Sequence, residues 1–88
     1  MLEEIMGDVI CVYKIIPNSM ENFTAVRAEV NKLSPAKLEE EPLAFGLDLI
    51  KATFIVPEKD GALDELENKL NSIKFVESVE LAAMSRSL

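Results

Sequence analysis

EEEPLAFGLDLIKATFIV, residues 39–56, runs from three acids and a proline through a Phe-Gly pair into the strongest strand former of the chain. In Leu47–Val56 the residues Ile50, Ala52, Phe54 and Val56 share one apolar face, with Asp48 at its start near the turn. Leu49, Lys51, Thr53 and Ile55 make a mixed opposite face, the period-2 pattern of a sheet covered on one side. Upstream, Leu38, Glu40, Pro42 and Ala44 alternate with Lys37, Glu39, Glu41, Leu43 and Phe45. Pro42 has no N–H to give to a ladder, so this second strand belongs at a sheet edge. Charged residues along it also discourage edge-to-edge association. The two strands are expected to form a hairpin, in which Gly46 supplies a positive φ.

Working outward, DVICVYKIIP (8–17) is apolar on both faces, Val9/Cys11/Tyr13/Ile15 and Ile10/Val12/Lys14/Ile16, which predicts a central strand. Phe23, Val26, Val30 and Leu33 then recur at three, four and three, one stripe of a helix. Asn18 is expected to cap that helix with Glu21 three residues on, and Ser34-Pro35 to end it. Leu63, Leu66, Leu70 and Ile73 repeat the stripe after a turn at 57–61. Asp64 and Glu65 fall in the first turn of this second helix and Lys69 near its last, as the helix dipole favours. Phe75–Met84 closes the chain as a strand, with Val79, Leu81 and Ala83 alternating against Ser78, Glu80 and Ala82, and Arg86 beyond its end.

The order is β-α-β-β-α-β. Two split β-α-β halves with right-handed crossovers give an α+β, ferredoxin-like sandwich: a four-stranded antiparallel sheet with two helices on one face. The 88 residues suit a single domain, 1–88, in which residues 1–5 read as an extension before Met6-Gly7-Asp8.

Composition narrows the chemistry. Nine Lys and Arg against sixteen Asp and Glu leave a net charge of −7, which opposes non-specific binding to nucleic acid or an anionic membrane. There is no histidine, a single cysteine and three scattered glycines, so imidazole catalysis, a Cys-rich zinc site and a glycine-rich phosphate cradle lack their residues. Cys11 reads as a small core residue of a protein kept in a reducing compartment. No apolar run reaches the ~20 residues of a membrane span, and MLEEI lacks the basic start of a signal peptide. Glu39, Glu40 and Glu41 alternate in direction along a strand and do not converge on a cation. Neither enzyme chemistry nor a cofactor or metal site is expected. Phe45-Gly46 reads in two ways, as a tight turn whose ring packs on the sheet or as a rigid tip offering an aromatic anchor to a partner protein. Pro42 stiffens the approach to it. AAMSRSL (82–88) is likewise either a strand end with a solvated Arg86 or part of a contact.

EEEPLAFGLDLIKATFIVP together with VESVELAAMSRSL resembles the translation elongation factor 1-beta family, most closely its archaeal type, over residues 6–88. Pro42, Leu43, Ala44, Phe45, Gly46 and Leu47 match the family core P-[IL]-[AG]-[FY]-G-[LIF]. The resemblance implies a cytoplasmic guanine-nucleotide exchange factor that binds the GTPase elongation factor 1-alpha. It implies partner contacts at Pro42, Phe45, Gly46, Met84 and Arg86, with Phe45 the anchor and Arg86 approaching the GTPase's magnesium and phosphate site. Arg86 stands where eukaryotic relatives carry lysine, and Asp48 where relatives commonly carry lysine. No nucleic acid or membrane is expected to take part, and a monomer is expected while further subunits stay open. Two other readings of the fold are a small-molecule-binding regulatory domain and a small phosphatase; the latter wants an arginine after the first strand, whereas Arg27 lies mid-helix and Arg86 at the end.

Overall fold

The computed structural model describes residues 7–87; the side chains of Phe45 and Ser87 lie outside the description, as do residues 1–5, read above as an extension. Strands β1 (Asp8–Pro17), β2 (Lys37–Pro42), β3 (Asp48–Pro57) and β4 (Val76–Ser87) form one sheet in the order β2-β3-β1-β4. Every neighbouring pair is antiparallel. Helices α1 (Phe23–Asn31) and α2 (Ala62–Asn71) cover one face, completing the ferredoxin-like sandwich.

Alternation selects what is buried. Val9, Cys11, Tyr13 and Ile15 of β1 and Ile50, Ala52, Phe54 and Val56 of β3 point under the helices and close the core with Phe23, Val26, Val30 and Leu70. Leu33, Leu63, Leu66 and Ile73 pack half-buried around it. Tyr13 is placed at the centre by two directed contacts. Its ring meets Phe54 edge-on with centroids 6.4 Å apart, and its hydroxyl donates to Glu67 Oε2 at 2.9 Å. Burial, then the hydrogen bond and charge of Glu67, push the Tyr13 hydroxyl well above the usual phenol range. Burial, then Glu67, push the Cys11 thiol up as well.

The edge position of β2 follows from its residues, and its glutamates diverge as alternation requires. Glu40 reaches Arg27 of α1 at 3.2 Å, while Glu41 reaches Lys14 on the uncovered face at 3.7 Å.

Four local expectations are corrected. Asn18 does not cap α1: Met20–Asn22 forms a 3-10 turn first, and the helix begins at Phe23. The Asn18 N–H instead donates to the Phe75 carbonyl at 2.8 Å, carrying the pairing of β1 with β4 one residue past Pro17, and its side-chain oxygen accepts from Asn22. The link between β2 and β3 is not a tight turn. β2 stops at Pro42, and residues 43–47 form a loop containing a 3-10 turn at Ala44–Gly46, closed by Leu43 N–H to Leu47 O at 2.6 Å. β4 runs past Met84, so Arg86 belongs to the strand, opposite Val9. Finally, the alternation of β4 breaks. Val12 faces Ala83 and Tyr13 faces Leu81, leaving Ala82 as the extra residue of a β-bulge. Ala83 therefore shares the uncovered face, opposite to Val79 and Leu81.

Candidate functional site

The residues singled out in the sequence occupy two places. Pro42 and Gly46 lie at the end of the sheet formed by the β2–β3 loop. Met84 and Arg86 lie at the other end, opposite Cys11 and Val9. The register links the two: Arg86 stands across from Val9, Val9 from Val56, and Asp48 from Pro42. Eight residues of β3 separate those levels, about 26 Å at ~3.3 Å per residue. The structure does not bring the two groups together. It holds them apart on a rigid sheet.

The loop end is shaped by backbone. Pro42 terminates the ladder, and Gly46 has φ 78, with no atom within 4 Å of where a Cβ would stand. The positive φ alone is what favours glycine there. The Asp48 N–H points to Met20 Sδ at 3.3 Å, seating the 3-10 turn before α1 against the base of the loop. Met20 and Leu43 are exposed large apolar residues of this end. The backbone of Phe45 occupies the middle of the 3-10 turn; its ring is among the side chains outside the description.

The opposite end is shaped by side chains. A cleft of about 820 Å³ opens between β4 and the start of α2, with Val9, Leu63 and Met84 on its apolar wall and Glu58 and Arg86 at its polar side. The bulge at Ala82 decides which residues reach it. In an unbroken ladder Met84 and Arg86 would share the uncovered face with Glu80; the extra residue turns both to the helix side. Arg86 Nη2 then meets Glu58 Oε2 at 2.8 Å, across the first residues of β1. Glu58 is itself positioned by its N–H, which donates to Gly7 O at 3.2 Å. Among the described residues one guanidinium nitrogen makes that pair, and the guanidinium carries further N–H donors of the kind that bind an anionic group. Among the described residues no group of three or more His, Cys, Asp or Glu is placed to hold a metal ion.

Residues 10–86 match the family described as the EF-1 guanine nucleotide exchange domain. The chain belongs to that family. Among its curated relatives, an elongation factor 1-beta of Methanoculleus marisnigri is 42% identical over 78 residues, covering 86% of this chain and 93% of the relative. That of Methanospirillum hungatei is 37% identical over 79 residues, with the same coverage. That of Methanobrevibacter smithii is 33% identical over 87 residues, covering 92% of this chain and 98% of the relative. Membership in the exchange-domain family replaces both the regulatory-domain and the phosphatase readings of the fold.

Sequence reasoning passed over two residues at these ends. Glu58 is one acid in a turn of several charges, and no local pattern ties it to Arg86, 28 positions away. Phe75 reads in the sequence as the first residue of the closing strand, whereas β4 begins at Val76 and Phe75 stands just before it at φ 74.

Proposed function

We propose that this exchange factor for elongation factor 1-alpha grips the GTPase at two separated points, one at each end of the sheet. The β2–β3 loop provides the anchor, with Phe45 entering an apolar pocket of the partner and Pro42 and Gly46 holding the loop in shape. The other end presents Met84 and Arg86, and the guanidinium approaches the phosphate and magnesium site. The observation that carries this reading is the register, which sets the two groups about 26 Å apart. A span of that length suits a protein that holds one part of a GTPase while displacing another.

Exchange then requires no bond to be made or broken. A GTPase holds GDP through its phosphate loop and Mg²⁺, and a partner that stabilises the loosened site weakens that hold. Linkage makes the effect reciprocal: whatever factor lowers GDP affinity also lowers the affinity of the exchange factor for the GDP-bound form. The chain acts as a monomer in the cytoplasm, without nucleic acid or membrane. Its net charge of −7 opposes binding to nucleic acid or an anionic membrane, and no helix among the described residues is long and apolar enough to cross a membrane.

Stopped-flow release of fluorescent GDP from elongation factor 1-alpha tests the proposal. Dose-dependent acceleration by the wild-type chain is expected. Arg86→Ala should slow exchange at saturation more than it weakens docking. Equal losses in both would make Arg86 an ordinary contact and remove the second point of the grip.

A further inference from the structure

Phe75 is a large side chain in a conformation that disfavours large side chains. It lies between α2 and β4 with φ 74, in the left-handed region where a Cβ crowds the following carbonyl. The backbone there has a clear role, since its carbonyl accepts the Asn18 N–H at 2.8 Å. Glycine would supply that carbonyl without strain. The ring does not offset the strain by burial: it is 38% exposed and belongs neither to the core nor to the half-buried side chains packed on it. Its one directed contact among the described residues is with the adjacent Lys74, whose ammonium lies 5.3 Å from the ring centroid. Strain held at an exposed residue without packing in return points to a role outside the free fold.

The register shows where the ring stands. Phe75 immediately precedes Val76, the partner of Pro17, and so stands at the same end of the sheet as the β2–β3 loop. β4 is two strands from β3, about 10 Å away. Met20, at the base of the loop, and Leu43, within it, are further exposed apolar residues of this end. We infer that Phe75 is a second aromatic contact of this end with the GTPase, entering an apolar recess bordered by a carboxylate that meets Lys74. The inference rests on the reading that the loop end docks on elongation factor 1-alpha. Continuity with that end is what assigns the GTPase as occupant. The positive charge beside the ring, on a chain of net charge −7, assigns the acidic rim.

The test pairs stability with binding in Phe75→Gly. Relief of the backbone conformation should leave the melting temperature unchanged or raise it by a few degrees. Affinity for nucleotide-free elongation factor 1-alpha, measured by calorimetry, should fall about tenfold or more, as for a truncated aromatic anchor. Phe75→Tyr should retain binding. Unchanged affinity in Phe75→Gly would overturn the inference, and so would a clear drop in melting temperature, because the ring would then be serving the fold. Phe45→Ala measured in parallel separates the levels. Loss in Phe45→Ala with none in Phe75→Gly rejects Phe75 alone, whereas no loss in either rejects the loop end as a docking surface. Sedimentation showing a wild-type dimer that Phe75→Gly dissolves would assign the ring to a second copy of the chain and overturn the inference as well.

Discussion

At the loop end of the sheet the shape is held by backbone: a proline that stops a ladder, positive φ at Gly46 and Phe75, and main-chain hydrogen bonds that close the loop and tie β1 to the residue before β4. At the cleft end it is held by charge and by side-chain reach, through Arg86 and Glu58 across β1. The difference has a physical consequence. Backbone constraints pre-set a contact surface, cut the ordering cost of binding and are indifferent to salt. An exposed ion pair is screened by salt and leaves its guanidinium free to exchange partners. In the proposed grip the loop end is then a rigid anchor and Arg86 an adaptable cation, as suits a protein that must hold its partner while loosening what the partner holds.

The largest expected effect sharpens this comparison. Phe45→Ala should weaken binding to elongation factor 1-alpha by about 2 kcal/mol or more in calorimetry, with the circular dichroism spectrum unchanged. Unaltered affinity would break the contrast, leaving the loop as a turn and nothing else.

Next comes a pair of deletions that use the bulge. Removing Ser85 would bring Arg86 opposite Ile10, on the uncovered face, and should slow GDP release at saturation about tenfold, the loss of a charged hydrogen bond. Removing Ala82 would erase the bulge yet leave Arg86 opposite Val9, and should preserve exchange. Equal behaviour of the two deletions would show that the face presented by Arg86 is irrelevant.

Between the two ends, the Tyr13–Glu67 contact holds the middle of the sheet. The Tyr13 hydroxyl keeps its proton to higher pH in the folded chain than the ~10 of an unfolded tyrosine. Its stabilising contribution is therefore complete below pH ~10 and is lost as pH rises toward the folded-state value. Urea titrations above pH ~10 should show stability falling by up to about 1.4 kcal/mol per pH unit from this group. Cys11, also shifted up, adds a decline that starts nearer its own unfolded value. Tyr13→Phe should flatten the curve in part; an unaltered slope would remove Tyr13 from the account.

Smaller still, Gly46→Ala should cost about 1 kcal/mol in urea unfolding, independent of salt, because the site has space for a Cβ but not the φ for one. Glu58→Gln should change stability by less than about 1 kcal/mol, and any effect should vanish in high salt. A salt-dependent Gly46 effect or a salt-independent Glu58 effect would reverse the assignment of backbone to one end and charge to the other.

Much of this was legible before any fold was drawn. The period-2 run at 47–56 and the three-four-three stripes beginning at Phe23 and Leu63 named buried faces, the run at 8–17, apolar on both faces, marked a central strand, and Pro42 placed its strand at an edge. Those readings hold because side-chain direction in a regular element depends on the element's own geometry, a property of a few neighbouring residues. The residues proposed to face the partner were less legible. Pro42 and Gly46 announce themselves through backbone chemistry that each carries alone. Arg86 does not, because its direction depends on how many residues of β4 are paired against β1.

By itself, then, the sequence determined the element order, the faces that must be buried and the residue types available for contact. Only the tertiary structure decided that Asn18 extends a ladder instead of capping a helix, that Ala82 is bulged, that Arg86 turns toward Glu58 and that Phe75 stands exposed at positive φ. Each of those is a relation between residues far apart in the chain. Local periodicity carries no information about the strand that will lie alongside, and pairing across the sheet supplies it.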